Sequence, residues 1–228
     1  MLNFTAANIL SFPNVNWDNM WTATVETLYM SVFALLFTFL FGILLGLLLY
    51  LTDRGGLWEN KIVQAVTAAY VNVFRSIPFI ILIVLLIPLT RIVVGTMLGP
   101  SAALPALIIG AAPFYARMVE IALREIDKGV IEASKSMGAN NRQIIFKVLL
   151  PESMPALISG LTVTAIALVS YTAMAGVIGA GGLGDLAYRD GFQRRNTDII
   201  LMATLIVLMI VFIFQFIGDR FTNKLDKR

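Results

Sequence analysis

Long runs of apolar residues alternate with short charged segments along this chain of 228 residues. Five such runs cover residues 27–51, 62–90, 92–116, 153–188 and 199–218, and the charges within them are Arg75 and Asp185. A bilayer core about 30 Å thick is crossed by about 20 helical residues. The pattern therefore predicts five membrane spans, and the glycine-rich end of the fourth, from Gly176 onward, is expected to be non-helical.

The spans are predicted to be helices, because every backbone amide inside lipid must find its hydrogen-bond partner within the protein. The alternating strands of about ten residues that build a membrane barrel are not found in the sequence. The expected fold class is thus an all-α membrane protein with five transmembrane helices. One transmembrane domain is predicted over residues 20–220, between a short N-terminal segment (1–19) and a tail (221–228).

Lysine and arginine are distributed unevenly between the segments that separate the spans, and short cytoplasmic segments carry the excess of these residues. One set of segments contains only Arg91, Arg189, Arg194 and Arg195. The other set contains Arg54, Lys61, Arg117, Arg124, Lys128, Lys135, Arg142, Lys147, Arg220, Lys224, Lys227 and Arg228. This distribution predicts an N-terminus outside the cell and a cytoplasmic C-terminus, as an odd number of spans requires.

Composition narrows the possible functions. Hydrophobic residues make up 58% of the chain and charged residues only 14%, far from the balance of soluble proteins. The chain has no histidine and no cysteine, so the commonest metal ligand and thiolate chemistry are missing, and no metal or cofactor is expected. Its net charge of +3 is explained by the basic cytoplasmic segments and indicates no nucleic-acid partner.

The polar segment between the third and fourth spans begins with a predicted short helix, residues 128–137. Val130, Ala133 and Met137 fall on one face of this helix. Gly138 follows at the position where a left-handed residue commonly ends a helix. The helix is therefore expected to stop at Gly138.

A second short helix is predicted directly after this turn. Asn140 is a suitable N-cap, and Gln143 three residues later resembles a capping box. Pro151 is predicted to mark the start of the fourth span, because proline is tolerated in the first turn of a helix. Residues 128–150 are thus expected to form a cytoplasmic elbow of two helices, which we call the coupling region.

The coupling region carries a spaced set of residues that is more specific than its periodicity. They are Glu132, Ala133, Ser134, Gly138, Val148, Leu150 and Pro151. Their spacing resembles the EAA signature of the permease subunits of ABC importers. The resemblance implies that these residues, Val148 aside, couple the permease to a cytoplasmic ATPase. Ser134 stands where alanine is common and Val148 where isoleucine is common. The alternative is an ordinary capped helix in a solvated loop.

Further segments resemble the permeases of methionine ABC importers. They are NVFRSIPF (72–79), IPLTR (87–91), VGT (94–96), GAAPF (110–114) and GAGGLG (179–184). The resemblance implies a homodimer in the lipid of a bacterial cell membrane, joined to two ABC ATPase subunits and supplied by an extracytoplasmic methionine-binding protein. It also implies that this chain is not an enzyme, because the partner subunit hydrolyses ATP.

Four residues within the spans are candidates for the translocation path or its gate. Arg75 is the most costly of them, at about 2.5–3.5 kcal/mol near a helix centre. It is predicted either to line the path and meet a carboxylate, or to bond the carbonyls that Pro78 frees. Pro78 shapes either the path or only the packing. Ser170 and Tyr171 offer hydroxyls to a substrate or to neighbouring helices.

Two classes of transporter fit these observations. One is the permease of an ABC importer, for methionine or for another amino acid or small polar solute. The other is an ion-coupled secondary transporter, which usually has acidic residues at mid-membrane and often contains inverted repeats. The sequence shows neither feature, so the importer is favoured. The glycine-rich segment is then expected to form a close-packed outer loop that receives the binding protein.

Overall fold

The computed structural model describes residue 12 and residues 15–225. Its helices are α1 (Trp17–Leu51), α2 (Lys61–Ser76), α3 (Phe79–Leu85), α4 (Ile87–Val94), α5 (Pro100–Arg124), α6 (Lys128–Ser136), α7 (Asn141–Ile144), α8 (Leu150–Ala175), α9 (Gly182–Asp185) and α10 (Thr197–Leu225). Wide π turns occupy Ile145–Leu149, Gly176–Ala180 and Leu186–Gln193. The described part of the chain forms no β-strand, and the predicted all-α class is confirmed.

Four stretches of helix are long and apolar enough to cross a membrane: Trp17–Leu51, Pro100–Arg124, Asn141–Ala180 and Thr197–Leu225. Helices α2 and α3 pass the same test together, although the chain bends by 108° between them. Counting this bent pair as one span gives the five spans that the sequence predicts. Residues 1–11, 13, 14 and 226–228, which belong to the predicted terminal segments, lie outside the described residues.

The predicted limits of the second and third spans are wrong. The second apolar run does not form one helix, because it is broken at Ile77 and Pro78, and Ile87–Val94 forms the separate short helix α4. Gly95 ends α4 with a φ of +82°, and the third spanning helix begins at Pro100. Hydropathy alone missed these breaks, because it measures how apolar a run is and not where the backbone of that run bends.

The expectation that the chain is non-helical from Gly176 onward is met only locally. The helix is kinked within the π turn at Gly176–Ala180, where Ile178 and Gly179 depart from helical dihedral angles. Gly181, with a φ of +79° and a ψ of −161°, separates this turn from α9. Glycine supplies the unusual conformation at Gly181 without steric penalty, so the helix is interrupted locally and then resumes.

Residue contacts divide the chain into two compact units. The first contains Met1–Ala34, Phe79–Leu107 and Ala167–Ile213. In it, the rings of Phe79 and Tyr171 stack with centroids 4.5 Å apart. The glycine-rich segment belongs to this unit and packs against α1.

The second unit contains Leu35–Pro78, Ile108–Ile166 and Phe214–Arg228. Its core is a cluster of buried residues: Leu51, Tyr115, Val119, Ala122, Leu123, Ile126, Ile144, Ile145, Leu149 and Leu157. The Tyr115 hydroxyl donates to the Leu157 carbonyl at 3.2 Å. A Cβ added at Gly42 would lie 2.6 Å from the Tyr115 ring, so a small residue lets α1 and α5 approach closely. We call the cluster of buried residues from Leu51 to Leu157 the lower core.

Candidate functional site

Helix α6 has defined stops at both ends. The Asp127 carboxylate accepts the N–H of Gly129 at 2.7 Å and caps the start of the helix. Met137 is the C-cap, and Gly138 follows with a φ of +82°. The predicted short helix and its glycine stop are therefore confirmed, with the last helical residue at Ser136.

The two faces of α6 differ in their exposure to the surroundings. Val130, Ala133 and Met137 do fall on one face, but this face is exposed, and 80% of Met137 is accessible. We call these three residues the open stripe. The face that packs against the lower core is instead formed by Ile131, with Ser134 buried beside it. The open stripe is therefore an apolar surface that the described part of the chain does not cover.

Ser134 is buried, and its hydroxyl donates to the Val130 carbonyl at 2.7 Å. A small hydroxyl residue thus fits against the lower core and satisfies its own polar group. Glu132 and Ala133 point away from this packing and are exposed. The EAA set accordingly contributes one packed residue and two accessible ones.

Two clefts of different charge border α6. The first, of about 350 Å³, contains Glu132 and residues from the loop that follows α1. Its charged lining residues are Asp53, Arg54, Arg124, Lys128, Glu132 and Lys135. The second, of about 230 Å³, is lined by Val130 and by the carboxylates of Glu125, Asp127 and Glu152. Helix α6 therefore separates a mainly basic cleft from an acidic one.

The second half of the coupling region confirms one prediction and corrects another. Asn140 and Gln143 form the predicted capping box, with both reciprocal bonds at 2.9 Å. Pro151, however, does not start the fourth spanning helix, because the helix is continuous from Asn141. Directly before Pro151 the chain forms a π turn, in which the Leu150 N–H donates to the Ile145 carbonyl. Proline has no N–H to donate, and its ring crowds the preceding turn of a helix. The wider π turn accommodates both features.

Leu150 and Pro151 differ in their surroundings. Leu150 is half-buried and packs against the lower core, which also receives Ile131 from α6. Pro151 is exposed on the helix surface. The lower core therefore links the two ends of the coupling region, although Pro151 itself makes no part of that contact.

A group of charged side chains beside α6 was missed by the sequence reasoning. Glu120 is only 3% exposed, and its carboxylate is paired with Arg117 and Arg124. Arg124 also reaches Asp53 at 2.7 Å. The hydrogen bond from Arg124 is the main reason that the pKa of the Asp53 carboxyl lies below its ordinary value. The helical spacing of Arg117, Glu120 and Arg124 was the available signal, whereas nothing in the sequence indicated Asp53.

Two of the four candidates for the translocation path, Arg75 and Pro78, lie at a helix break, and Ser170 and Tyr171 lie within α8. Arg75 is in the last turn of α2 and is exposed, and within the described residues it has neither of its predicted partners. Pro78 lies at the 108° bend. Tyr171 stacks on Phe79, whereas Ser170 is exposed. Their roles in transport remain predictions.

The glycine-rich segment is held by two side chains of α1. The Glu26 carboxylate accepts the Gly182 N–H at 2.7 Å, and the Thr27 hydroxyl accepts the Leu183 N–H at 2.9 Å. A Cβ added at Gly181 would lie 2.6 Å from the Glu26 carboxylate, so a larger residue would disturb this contact. Close packing of the segment is confirmed, and the glutamate that secures it was not identified from the sequence.

A family model matches most of this chain. The model for the inner membrane component of binding-protein-dependent transport systems matches residues 40–228. The chain therefore belongs to this family of membrane transport components. Membership confirms the predicted membrane location, the resemblance to importer permeases and the non-enzymatic role.

Individual relatives are similar over nearly their whole length. The chain is 66% identical over 217 residues to the methionine import system permease protein MetP of Bacillus subtilis (strain 168), covering 95% of this chain and 98% of MetP. It is 46% identical over 214 residues to the probable D-methionine transport system permease protein MetI of Vibrio cholerae serotype O1, covering 94% and 95% of the two chains.

A solved structure of a methionine transporter is also similar to this chain. A chain of the inward-facing MetNI methionine ABC transporter, in its CY5 selenomethionine-soaked crystal form, matches with a TM-score of 0.90 and 44% identity. The match covers 93% of this chain and 100% of that chain. The fold is therefore that of a methionine ABC transporter permease.

Proposed function

We propose that this chain is the permease subunit of an ATP-driven methionine importer. Two copies form the transmembrane path, each copy docks one cytoplasmic ABC ATPase subunit, and an extracytoplasmic binding protein delivers the substrate. The choice of methionine is supported by the relatives, of which one that is 66% identical is named a methionine import permease. The proposed transmembrane domain covers residues 20–220, with the coupling region at residues 128–150.

The single observation in the structure that carries the coupling role is the open stripe on α6. Three apolar side chains, Val130, Ala133 and Met137, are presented to the surroundings next to the exposed Glu132. Burying them against a partner removes apolar surface from water, and methionine adapts its shape to an opposing groove. The clefts of unlike charge on the two sides of α6 would fix the orientation of that partner.

The remaining members of the EAA set have supporting roles in this proposal. Ser134 fixes the depth of α6 against the lower core, and Gly138 lets the chain turn immediately after the docking surface. Leu150 packs on the same core, and Pro151 lies just beyond the π turn. Movement of an ATPase groove would thus be passed through the lower core to the spanning helices.

The orientation is inferred from charge. Twelve lysines and arginines occupy the segments assigned to the cytoplasm and four occupy the outer segments, which places the coupling region inside and the N-terminus outside. In this orientation the glycine-rich segment, held by Glu26 and Thr27, faces the binding protein. Docked ATPase subunits and the binding protein then act on opposite sides of the membrane.

Arg75 supports a homodimer with an aqueous path. An exposed arginine within a span is stable only when it meets water or a polar partner, and the described part of this chain provides no such partner. A path or gate between two copies would provide either one. Pro78, Ser170 and Tyr171 are also proposed as path residues, and Phe79 supports the Tyr171 ring.

The proposal is tested by reconstituting the chain with its ATPase and its binding protein in liposomes. The initial uptake rate of labelled L-methionine is measured with ATP enclosed or absent, and with unlabelled amino acids as competitors. We expect ATP-dependent uptake that only methionine and its close analogues suppress. ATP-dependent uptake of another amino acid would change the substrate, whereas uptake that ignores ATP and collapses with a proton uncoupler would indicate a secondary transporter.

A further inference from the structure

The charged network beside α6 is built around a buried carboxylate. Glu120 receives Arg117 Nη1 at 2.6 Å on one oxygen, and Arg124 Nε and Nη2 at 3.0 and 2.8 Å on the other. Burying a carboxylate is favourable only when cations and donors compensate it fully, and here both oxygens are used. Glu120 therefore holds the Arg124 guanidinium in a fixed orientation.

The same Nη2 of Arg124 also bonds a different part of the chain. Arg124 Nη2 donates to Asp53 Oδ2 at 2.7 Å, and Asp53 lies 71 residues away in the loop between α1 and α2. A guanidinium presents its donors in a rigid planar fork, so one side can be held by Glu120 while another binds Asp53. The network thus fastens the loop after α1 to the C-terminal end of α5.

The same loop is fastened a second time, on the far side of α6. Asn141, at the start of α7, donates from its side-chain nitrogen to the Leu57 carbonyl at 3.0 Å. The Leu57 side chain also packs on the lower core. Arg124 precedes α6 and Asn141 follows it, so the loop of residues 52–60 is tied to the chain on both sides of the coupling helix.

The connections at both ends of α6 are short. Only residues 125–127 separate Arg124 from α6, and Asp127 is already its N-cap. Residues 137–140 separate α6 from Asn141, and Asn140 caps α7. A shift of α6 must therefore displace Arg124 and Asn141 with it. On the other side of the loop, Asn60 caps α2, the helix that ends at the 108° bend.

We infer that the loop of residues 52–60 is a second coupling element, held to the end of α5 by the Asp53–Arg124–Glu120 network and to the start of α7 by the Asn141–Leu57 bond, on the two sides of α6. Through it, movement of the coupling helix reaches α1 and α2 directly, in addition to the route through the lower core. Asp53, Glu120 and Arg124 are positioning residues and touch neither substrate nor ATP. This inference rests on the proposed function, because it assumes that α6 receives the movement of an ATPase.

The test uses the complete transporter in liposomes and compares Asp53→Asn, Asn141→Ala and the double variant with the unmodified chain. Asp53→Asn removes the charge but keeps the size of the side chain, and Asp53→Glu restores the charge. Glu59→Gln is the matched control, because Glu59 lies in the same loop but accepts only the local Gly55 N–H at 3.0 Å. Uptake of labelled methionine and hydrolysis of ATP are measured in the same vesicles.

We expect methionine transported per ATP hydrolysed to fall about fivefold or more in the double variant, within the usual range of coupling between sites. The ATPase should still assemble with each variant. Asp53→Glu should keep most of the methionine transported per ATP by the unmodified chain, and Glu59→Gln should equal the unmodified chain in this ratio. An unchanged ratio in the double variant would overturn the inference. If the unmodified chain itself shows no ATP-driven uptake, the proposed function fails instead, so the two failures are distinguishable.

Discussion

Replacing Gly138 with alanine is expected to weaken coupling without preventing insertion into the membrane. Gly138 has a φ of +82° directly after the C-cap of α6, where the chain turns towards α7. A Cβ added there would meet no atom within 4 Å, so the substitution creates no clash. Its effect is the conformational penalty of a non-glycine residue in the left-handed region, about 1–2 kcal/mol.

The size of this penalty sets the expected loss. A change of about 1 kcal/mol alters an equilibrium about fivefold, so the ratio of chains in which α6 ends correctly to chains in which it does not should fall by about that factor. We therefore expect Gly138→Ala to reduce methionine transported per ATP by at most about fivefold. Gly138→Asn should lose less, because asparagine tolerates the left-handed conformation better than alanine.

Gly95→Ala provides a matched control for backbone strain. Gly95 also has a φ of +82°, also ends a helix, and would also place its added Cβ in open space. Both alanine variants should therefore lose similar thermal stability, measured by unfolding of the purified chains. Only Gly138→Ala should lose transport per ATP. An equal loss of coupling in both variants, or none in Gly138→Ala, would refute the role given to the turn after α6.

Three further substitutions or conditions test other parts of the molecule. Arg75→Met should leave membrane insertion intact and reduce ATP-driven uptake by each assembled complex, whereas Arg75→Lys should retain part of it. Glu26→Ala should lower the thermal stability of the purified chain by removing a charge-assisted bond worth about 1.5–3 kcal/mol, and Glu26→Gln should lower it less. The folded-state pKa of Asp53 is depressed, so its pairing should stabilise the fold above the ordinary carboxyl pKa of about 4 and be lost as pH falls through the lower, folded value. The stability difference between the unmodified chain and Asp53→Asn should accordingly be constant from pH 5 to 7 and disappear in stronger acid.

Each of these expectations has a result that contradicts it. Unchanged uptake per assembled complex in Arg75→Met, together with loss of the dimer, would assign Arg75 to packing alone. A fully stable Glu26→Ala chain would show that the glycine-rich segment needs only Thr27 and its own packing. A stability difference for Asp53→Asn that grows as pH falls towards 3 would have the wrong sign for a carboxylate paired with Arg124.

Structural features that depend on only a few neighbouring residues were predicted correctly from the sequence. The Asn140–Gln143 capping box and the stop at Gly138 each depend on residue types and spacings within one helical turn. Four spans were also predictable, and a fifth if the bent pair of helices is one span, because the bilayer thickness fixes how long an apolar run must be.

The limits of the helices were harder to predict, because they depend on backbone geometry inside uniformly apolar runs. Pro78 was noticed, but its residue type does not say that the chain bends by 108° there. Gly181 was expected to mark a loop, yet it separates two helical segments. The side on which α6 packs was not predicted, and it is Ile131 rather than the open stripe that meets the lower core.

Contacts between distant residues were the least accessible to sequence reasoning. Asp53 and Arg124 are 71 residues apart, and Glu26 and Gly182 are 156 apart. No local pattern connects such pairs, and their partners follow only from the packing of the helices. Glu120 is the partial exception, because its spacing from Arg117 and Arg124 places all three on one helix face.

Solvent access to Met137 tests the central claim most directly, namely that the open stripe is the cytoplasmic docking surface for the ATPase. The chain contains no cysteine, so Met137→Cys introduces a single thiol, and Met97→Cys at an exposed position before α5 serves as the control for the outer side. Labelling by a membrane-impermeant thiol reagent is compared in right-side-out and inside-out vesicles, with and without the ATPase. We predict that Met137→Cys reacts only in inside-out vesicles and is protected by the ATPase, whereas Met97→Cys reacts only from the outer side. Labelling of Met137→Cys from the outside, or labelling that the bound ATPase leaves unchanged, would contradict the claim.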